Sequence, residues 1–349
     1  MKPSIKVRLS DVARLASAGR FAQAFEMLRG MPRAEPSPQR AWPRPVAPSY
    51  VPPAPVRAPV GRAATNFAER TFAAAAGART YKLYVPGAAG AAPPSEKFPL
   101  IVMLHGCTQS PDDFAAGTRM NELAEEAGCF VAWPDQPSSA NASRCWNWFN
   151  VADQSRDRGE PALIAGITRE VMRDFPIDPA RVYVAGLSAG GAAAAIMGAR
   201  YPDLYAAIGV HSGLACGAAR DLNSALAAMK SGGRADIELD ARPMPTIIFH
   251  GDADHVVNPR NADQVAAQST ASATLKRTVE EGRSAGGVPY TRAVEADPDG
   301  HPVLERWTLH GAGHAWSGGS AAGSFTDPRG PDASRAMMRF FQEHALRPA

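Results

Sequence analysis

The sequence predicts an α/β protein: a mostly parallel central sheet with helices on both faces, preceded by a short helical arm and a proline-rich linker. Two observations carry the main part. Short apolar runs alternate with helix-patterned segments between residues 79 and 309, as expected of parallel strands joined by helical crossovers and buried on both sides. One such run ends in Gly186-Leu187-Ser188-Ala189-Gly190 and passes into an alanine-rich segment, a tight turn between strand and helix. A third observation sets off the front of the chain. Residues 32–60 contain ten prolines, too many for helix or sheet and suited to an extended spacer.

The elements follow in order. Over residues 10–31, Val12, Leu15, Ala16, Phe21, Ala24, Phe25 and Leu28 recur at helical spacing, with an interruption near Ala18-Gly19-Arg20, giving a helix or a short helical hairpin. The organisation is therefore an arm over 1–31, a linker over 32–65 and a catalytic body over 66–349. In the body, strands are expected at 79–85, 99–104, 130–133, 182–185, 206–211, 246–250 and 303–309. Helices are expected at 120–127, 162–175 and 190–199. Residues 285–301, rich in Gly, Pro and Asp, leave open whether a hairpin forms near the site. Sites in such sheets lie at the carboxyl ends of the strands.

Composition narrows the field. With 349 residues and 45% hydrophobic content there is ample material for a core. Net charge is +3, but residues 1–65 hold 11 Lys/Arg against 3 Asp/Glu, so the arm and linker carry +8 and the remainder −5. A basic, proline-rich arm reads first as a solvated segment. Contact with a granule surface is the partner it allows, and nucleic acid is not expected. No run of about 18 apolar residues exists, so no transmembrane helix is predicted. The start, MKPSIKVRLSDVARL, lacks the continuous apolar stretch of a secretory signal and by itself reads as cytoplasmic. Cys107, Cys129, Cys145 and Cys216 form no CxxC pair and no Cys/His cluster of zinc spacing, so no metal is expected.

The turn at 186–190 is where chemistry is expected. A G-x-S-x-G turn lifts a serine hydroxyl out of a sharp backbone bend, and small flanking residues let the bend form. Serine is a weak nucleophile at neutral pH. It needs a histidine to take its proton and a carboxylate to hold that histidine, in the α/β-hydrolase chain order Ser, acid, His. Behind the strand at 246–250 stand Asp252 and Asp254. Asp254 is favoured because His255-Val256-Val257 and Pro259 anchor its loop, with Asp252 left to brace the turn. Among eight histidines, His314 occupies the glycine-rich loop after the last strand, where the base belongs, and His310 is still on the strand. The oxyanion needs two backbone N–H donors. Ala189 follows the nucleophile, and Cys107, or Thr108 beside it, follows the strand at 99–104. Trp146, Trp316 and Thr108 are expected to touch substrate. The mechanism requires no metal or organic cofactor.

Taken together, Leu104-His-Gly-Cys-Thr-Gln-Ser110, Gly117-Thr-Arg-Met-Asn121, Cys145-Trp-Asn-Trp-Phe149, the Ser188 turn, Gly311-Ala-Gly-His-Ala-Trp-Ser-Gly-Gly319 and Gly323-Ser-Phe-Thr-Asp-Pro-Arg-Gly-Pro-Asp332 resemble the esterase family of poly(3-hydroxybutyrate) depolymerases over about residues 66–346. The resemblance implies hydrolysis of short-chain polyhydroxyalkanoate or its oligomers, with nucleophile, acid and base on Ser188, Asp254 and His314. Feruloyl and acetylxylan esterases share this machinery and supply the alternative substrate class. A catalytically silent granule-surface scaffold is the reading from another class. No substrate-binding module is seen after the catalytic part, which favours oligomers or amorphous polymer. The arm resembles the leader of many bacterial relatives, many of which are secreted. A Cys107–Cys145 disulfide bordering the pocket is expected, with Cys129 as inert packing.

Overall fold

The computed structural model describes residues 66–93, 95–233, 243–270 and 274–346, so the expected arm and linker lie outside the described residues. Ten strands form one sheet. They are β1 (Phe67–Ala74), β2 (Gly77–Tyr84), β3 (Phe98–Leu104), β4 (Phe130–Pro134), β5 (Ile177–Leu187), β6 (Ala207–His211), β7 (Thr246–Gly251), β8 (Lys276–Arg283), β9 (Pro289–Ala296) and β10 (Pro302–Leu309). Their spatial order is β1-β2-β4-β3-β5-β6-β7-β10-β9-β8. The six inner strands from β4 to β10 are mutually parallel, while the β1–β2 and β8–β9 pairs add antiparallel edges. Two-residue strands β11 (Trp316–Ser317) and β12 (Thr326–Asp327) pair apart from this sheet.

The inner strands are apolar along both faces because helices cover both. On β3, Leu100, Val102 and Leu104 enter one core while Ile101 and Met103 enter the other, the period-2 alternation of a strand buried on both sides. The first core packs under α4 (Gly159–Asp174) and α5 (Ala189–Arg200). The second packs under α3 (Met120–Ala127) and the C-terminal helix α8 (Ala333–Gln342), which inserts Met337, Phe340 and Phe341. Four further helices are α1 (Gly87–Ala91), α2 (Pro111–Thr118), α6 (Leu222–Ser231) and α7 (Arg260–Thr270). α2 begins where Ser110 accepts from the Asp113 N–H, with Pro111 at its first turn, and Arg119 in the left-handed region (φ 53°) ends it.

Chain direction positions the site. From β3 the chain moves outward to β4, then returns past β3 to β5 and continues the opposite way through β6 and β7. The crevice between the carboxyl ends of β3 and β5 is thus the switch point at which α/β sheets bind ligands. Residues 285–301 form β9 and the turns that join it to β8 and β10, and the Ser284 N–H donates to the Val288 carbonyl to close the first turn.

Candidate active site

Ser188 stands at the end of β5 with φ 57° and ψ −117°, and α5 starts at the next residue. A non-glycine residue at positive φ is strained, and the surroundings hold it there. The Ser188 N–H donates to the His211 carbonyl (2.9 Å), and its own carbonyl accepts from Ala192 (2.9 Å). The turn glycines are needed for close approach. A Cβ on Gly190 would lie 2.0 Å from the Leu104 carbonyl oxygen, and one on Gly186 would meet Gly190 itself at 2.4 Å. The elbow is therefore pressed against the end of β3.

Asp254 lies just beyond β7 and is 4% exposed. Its Oδ1 accepts from the Val256 and Val257 N–H groups (2.8 and 2.9 Å), and its Oδ2 pairs with His314 Nδ1 at 2.7 Å. Burial opposes its ionisation. Hydrogen bonds from His250 and His314 outweigh that penalty and hold the carboxyl well below the usual carboxylate range. His250 Nε2 donates to the Val257 carbonyl at 2.8 Å and lies 3.5 Å from Asp254, so it braces the acid loop. Asp252 serves elsewhere. It pairs with His310 Nδ1 (2.8 Å) and accepts from the Gly311 N–H (2.7 Å), while His310 Nε2 meets Thr291 Oγ1 (2.8 Å). Asp254, and not Asp252, is thus the carboxylate on His314.

Elbow and histidine loop meet across His211, which the sequence marked only as the end of a core strand. Its carbonyl holds Ser188, its Nε2 accepts from the Ser317 N–H (3.0 Å), and its ring stacks on Trp316 with centroids 5.0 Å apart. Burial, with His250 and His314 nearby, pushes its pKa well down, so the ring is neutral and can accept. A histidine ending the strand next to the one that carries Ser188 was the available signal.

The loop after β3 lies against the elbow: a Cβ on Gly106 would sit 3.5 Å from the Leu187 carbonyl oxygen. His105 is buried, and its Nδ1–H donates to the Gly106 carbonyl (2.8 Å) while Nε2 accepts from the Gln136 N–H (3.1 Å). Cys107 forms a disulfide with Cys145. Thr108 is exposed at φ 66°, and its N–H donates to the Ser143 carbonyl at 2.7 Å. Cys129 and Cys216 are buried free thiols.

Two sequence expectations need correction. Trp146 and Trp316 are both wholly buried, so neither offers a face to substrate. The Trp146 indole N–H donates to the His105 carbonyl (3.1 Å), and Trp316 packs edge-on against Phe114 with its N–H on Ser334 Oγ (3.0 Å). In a local stretch of sequence, a loop tryptophan that buttresses a site looks the same as one that lines it.

Residues 79–286 match the family described as Esterase PHB depolymerase. Poly(3-hydroxyalkanoate) depolymerase C of Paucimonas lemoignei is 32% identical over 228 residues, 62% of this chain and 54% of the relative, so the chain spans about half the length of that protein. Feruloyl esterase B of Neurospora crassa is 30% identical over 219 residues, 57% of this chain and 73% of the relative. In fold, acetyl xylan esterase from Aspergillus awamori superposes with a TM-score of 0.60 at 17% identity, over 79% of this chain and 99% of that one. The fold is that of the α/β-hydrolases, and the chain belongs to the Esterase PHB depolymerase family.

Proposed function

We propose that the protein is a serine carboxylic-ester hydrolase that cleaves short-chain polyhydroxyalkanoate, poly(3-hydroxybutyrate) or its oligomers, through an acyl-enzyme. The observation that carries this reading is the Asp254–His314 pair at 2.7 Å, joined through His211 to the strained Ser188 elbow. With Nδ1 engaged by Asp254, His314 Nε2 is the nitrogen that takes the Ser188 proton as Oγ attacks the ester carbonyl. The carbonyl π electrons move to oxygen, and the tetrahedral oxyanion forms. It collapses to the acyl-enzyme with cleavage of the ester C–O bond, and His314 gives its proton to the departing alkoxide oxygen, which leaves as the hydroxyl end of the released chain. Water activated by the same histidine then releases the acid and restores Ser188.

Two N–H groups are assigned to the oxyanion. Ala189 is the first residue of α5, where helix N–H groups have no intrahelical acceptor. Cys107 follows Gly106 in the loop that lies against the elbow, and its choice over Thr108 is supported by the Thr108 N–H donating to the Ser143 carbonyl. Thr108 itself is exposed and is assigned to substrate contact.

The polyester assignment is supported by family membership and by the depolymerase relative. The test is release of 3-hydroxybutyrate from amorphous polymer and from soluble oligomers, beside hydrolysis of p-nitrophenyl butyrate, methyl ferulate and acetylated xylan. Ser188→Ala is expected to lose roughly 10⁴-fold or more in kcat on every ester that the wild type cuts. Cleavage confined to ferulate or acetyl esters would move the substrate to the plant-wall class. Full activity in folded Ser188→Ala would remove the nucleophile.

A further inference from the structure

A buried carboxylate that the mechanism does not use lies behind the oxyanion loop. Glu160, in the first turn of α4, is 5% exposed. Its Oε1 accepts from Gln136 Nε2 (2.5 Å) and Asn147 Nδ2 (2.7 Å), and its Oε2 accepts from the Asn147 N–H (2.7 Å). Gln136 is itself fully buried, and the same Nε2 donates to the Cys145 carbonyl (2.9 Å). Its backbone N–H is held by His105, the residue that opens the oxyanion loop. Asn141 adds a second tie by accepting from the Ser143 and Cys145 N–H groups and donating to Asn147 Oδ1. The set thus joins Glu160 of α4 to the Cys145 segment and, through Gln136, to His105 just after β3. Three donors converge on Glu160, two on Oε1 and one on Oε2, and the ionised carboxylate, the form that prevails above about pH 7, accepts from all three with no proton of its own to place.

We propose that Glu160 is a positioning residue for the oxyanion loop: through Gln136 and Asn147 it fixes the Cys145 segment, and the Cys107–Cys145 disulfide carries that constraint to the Cys107 N–H. The inference rests on the assignment of Cys107 as an oxyanion donor. Glu160 touches no reacting atom in this scheme. Its effect arises because an oxyanion donor works only when held in place before the reaction.

Glu160→Gln keeps the volume but sets an NH₂ group against donors from Asn147 or Gln136, so the loop must shift. In full-length, disulfide-intact enzyme with p-nitrophenyl butyrate, kcat is expected to fall about tenfold or more with KM changed less than about threefold, since misplacing one donor costs rate more than binding. In a Cys107→Ala/Cys145→Ala background, which keeps the residue 107 N–H, the same substitution is expected to lower kcat clearly less than in the disulfide-bonded protein, because the covalent link is gone and only the Gln136–His105 and Thr108–Ser143 hydrogen bonds still join the two loops. Folded Glu160→Gln with wild-type kcat, or an equal loss in both backgrounds, overturns the proposal. Should Glu160→Gln fail to fold, Gln136→Met removes the same link at similar volume and is read the same way.

A second readout needs no activity. Reduction of the Cys107–Cys145 disulfide by dithiothreitol is expected to run about fivefold or more faster in Glu160→Gln, and at the wild-type rate in Ser188→Ala, because reduction follows access to the sulfurs. An active Ser188→Ala would sink the triad while leaving this measurement to decide the clamp. An unchanged reduction rate in folded Glu160→Gln would sink the clamp whatever the nucleophile.

Discussion

At Ser188 the backbone stores a conformation that the sequence would not choose alone, and the neighbours that impose it are themselves parts of the site. The His211 carbonyl fixes the serine N–H, and Leu104 at the end of β3 leaves room only for glycine at 190. The two aspartates of the following loop show how position, not type, assigns a role. Asp254 is buried with four donors in reach and His314 on Oδ2, whereas Asp252 lies at the surface holding His310 and the Gly311 N–H. Asp254→Asn is expected to lower kcat about 10⁴-fold, because the imidazole loses the partner that fixes its tautomer. Asp252→Asn leaves kcat within a fewfold of wild type. Steady-state kinetics on p-nitrophenyl butyrate decides between them, and the reverse order of losses would transfer the acid to Asp252.

At the scale of elements, Trp316 belongs to packing. It sits between Phe114 of α2, His211 of β6 and Ser334 of α8, so it ties two helices to the sheet directly beyond the base loop. Trp316→Ala is expected to destabilise the protein by about 3–5 kcal/mol through lost burial and a cavity. A chemical denaturation curve measures this. Raised KM with unchanged stability would return the residue to the substrate surface. The same distinction explains what the sequence could reveal. β3, β6 and β7 are apolar on both faces and could be read directly, as could the turn at 186–190 and the loops carrying Asp254 and His314. β1 and β8 are sheet edges made largely of exposed residues, mostly charged on β8, so their hydrophobic pattern is too weak to announce a strand. α6 and α7 are short and bury few residues, which left their periodicity faint. The roles of His211 and Glu160 come only from contacts across 106 and 24 residues of chain, respectively, and no local pattern encodes those.

For the whole molecule, buried carboxylates are pushed in opposite directions, Asp254 and Glu305 down and Glu160 up, and this shapes how stability varies with pH. Asp254 is held down by its histidines, so its contribution is present above the ordinary carboxylate value and fades only in strong acid. Glu160 is pushed up to about 7, first by burial and then by the nearby Asp153 charge, against the opposing bonds from Asn147 and Gln136. Arg79 stands 3.9 Å away on β2, and His105 lies one hydrogen bond beyond Gln136. Between its ordinary value of 4.5 and about 7, the folded protein keeps a proton on Glu160 that the unfolded chain has released. The folded state then binds more protons, so stability from this group is complete below 4.5 and is lost as pH rises through 7. Glu160→Gln removes that dependence. The unfolding free energy of the wild type relative to the variant is expected to fall across this window, by at most about 1.4 kcal/mol per pH unit for one proton. Urea denaturation of both proteins at closely spaced pH values measures the difference. Parallel curves would mean that Glu160 is ionised throughout, its donors outweighing its burial, and would leave Asp254 and Glu305, both shifted down, as the buried carboxylates that shape the pH dependence.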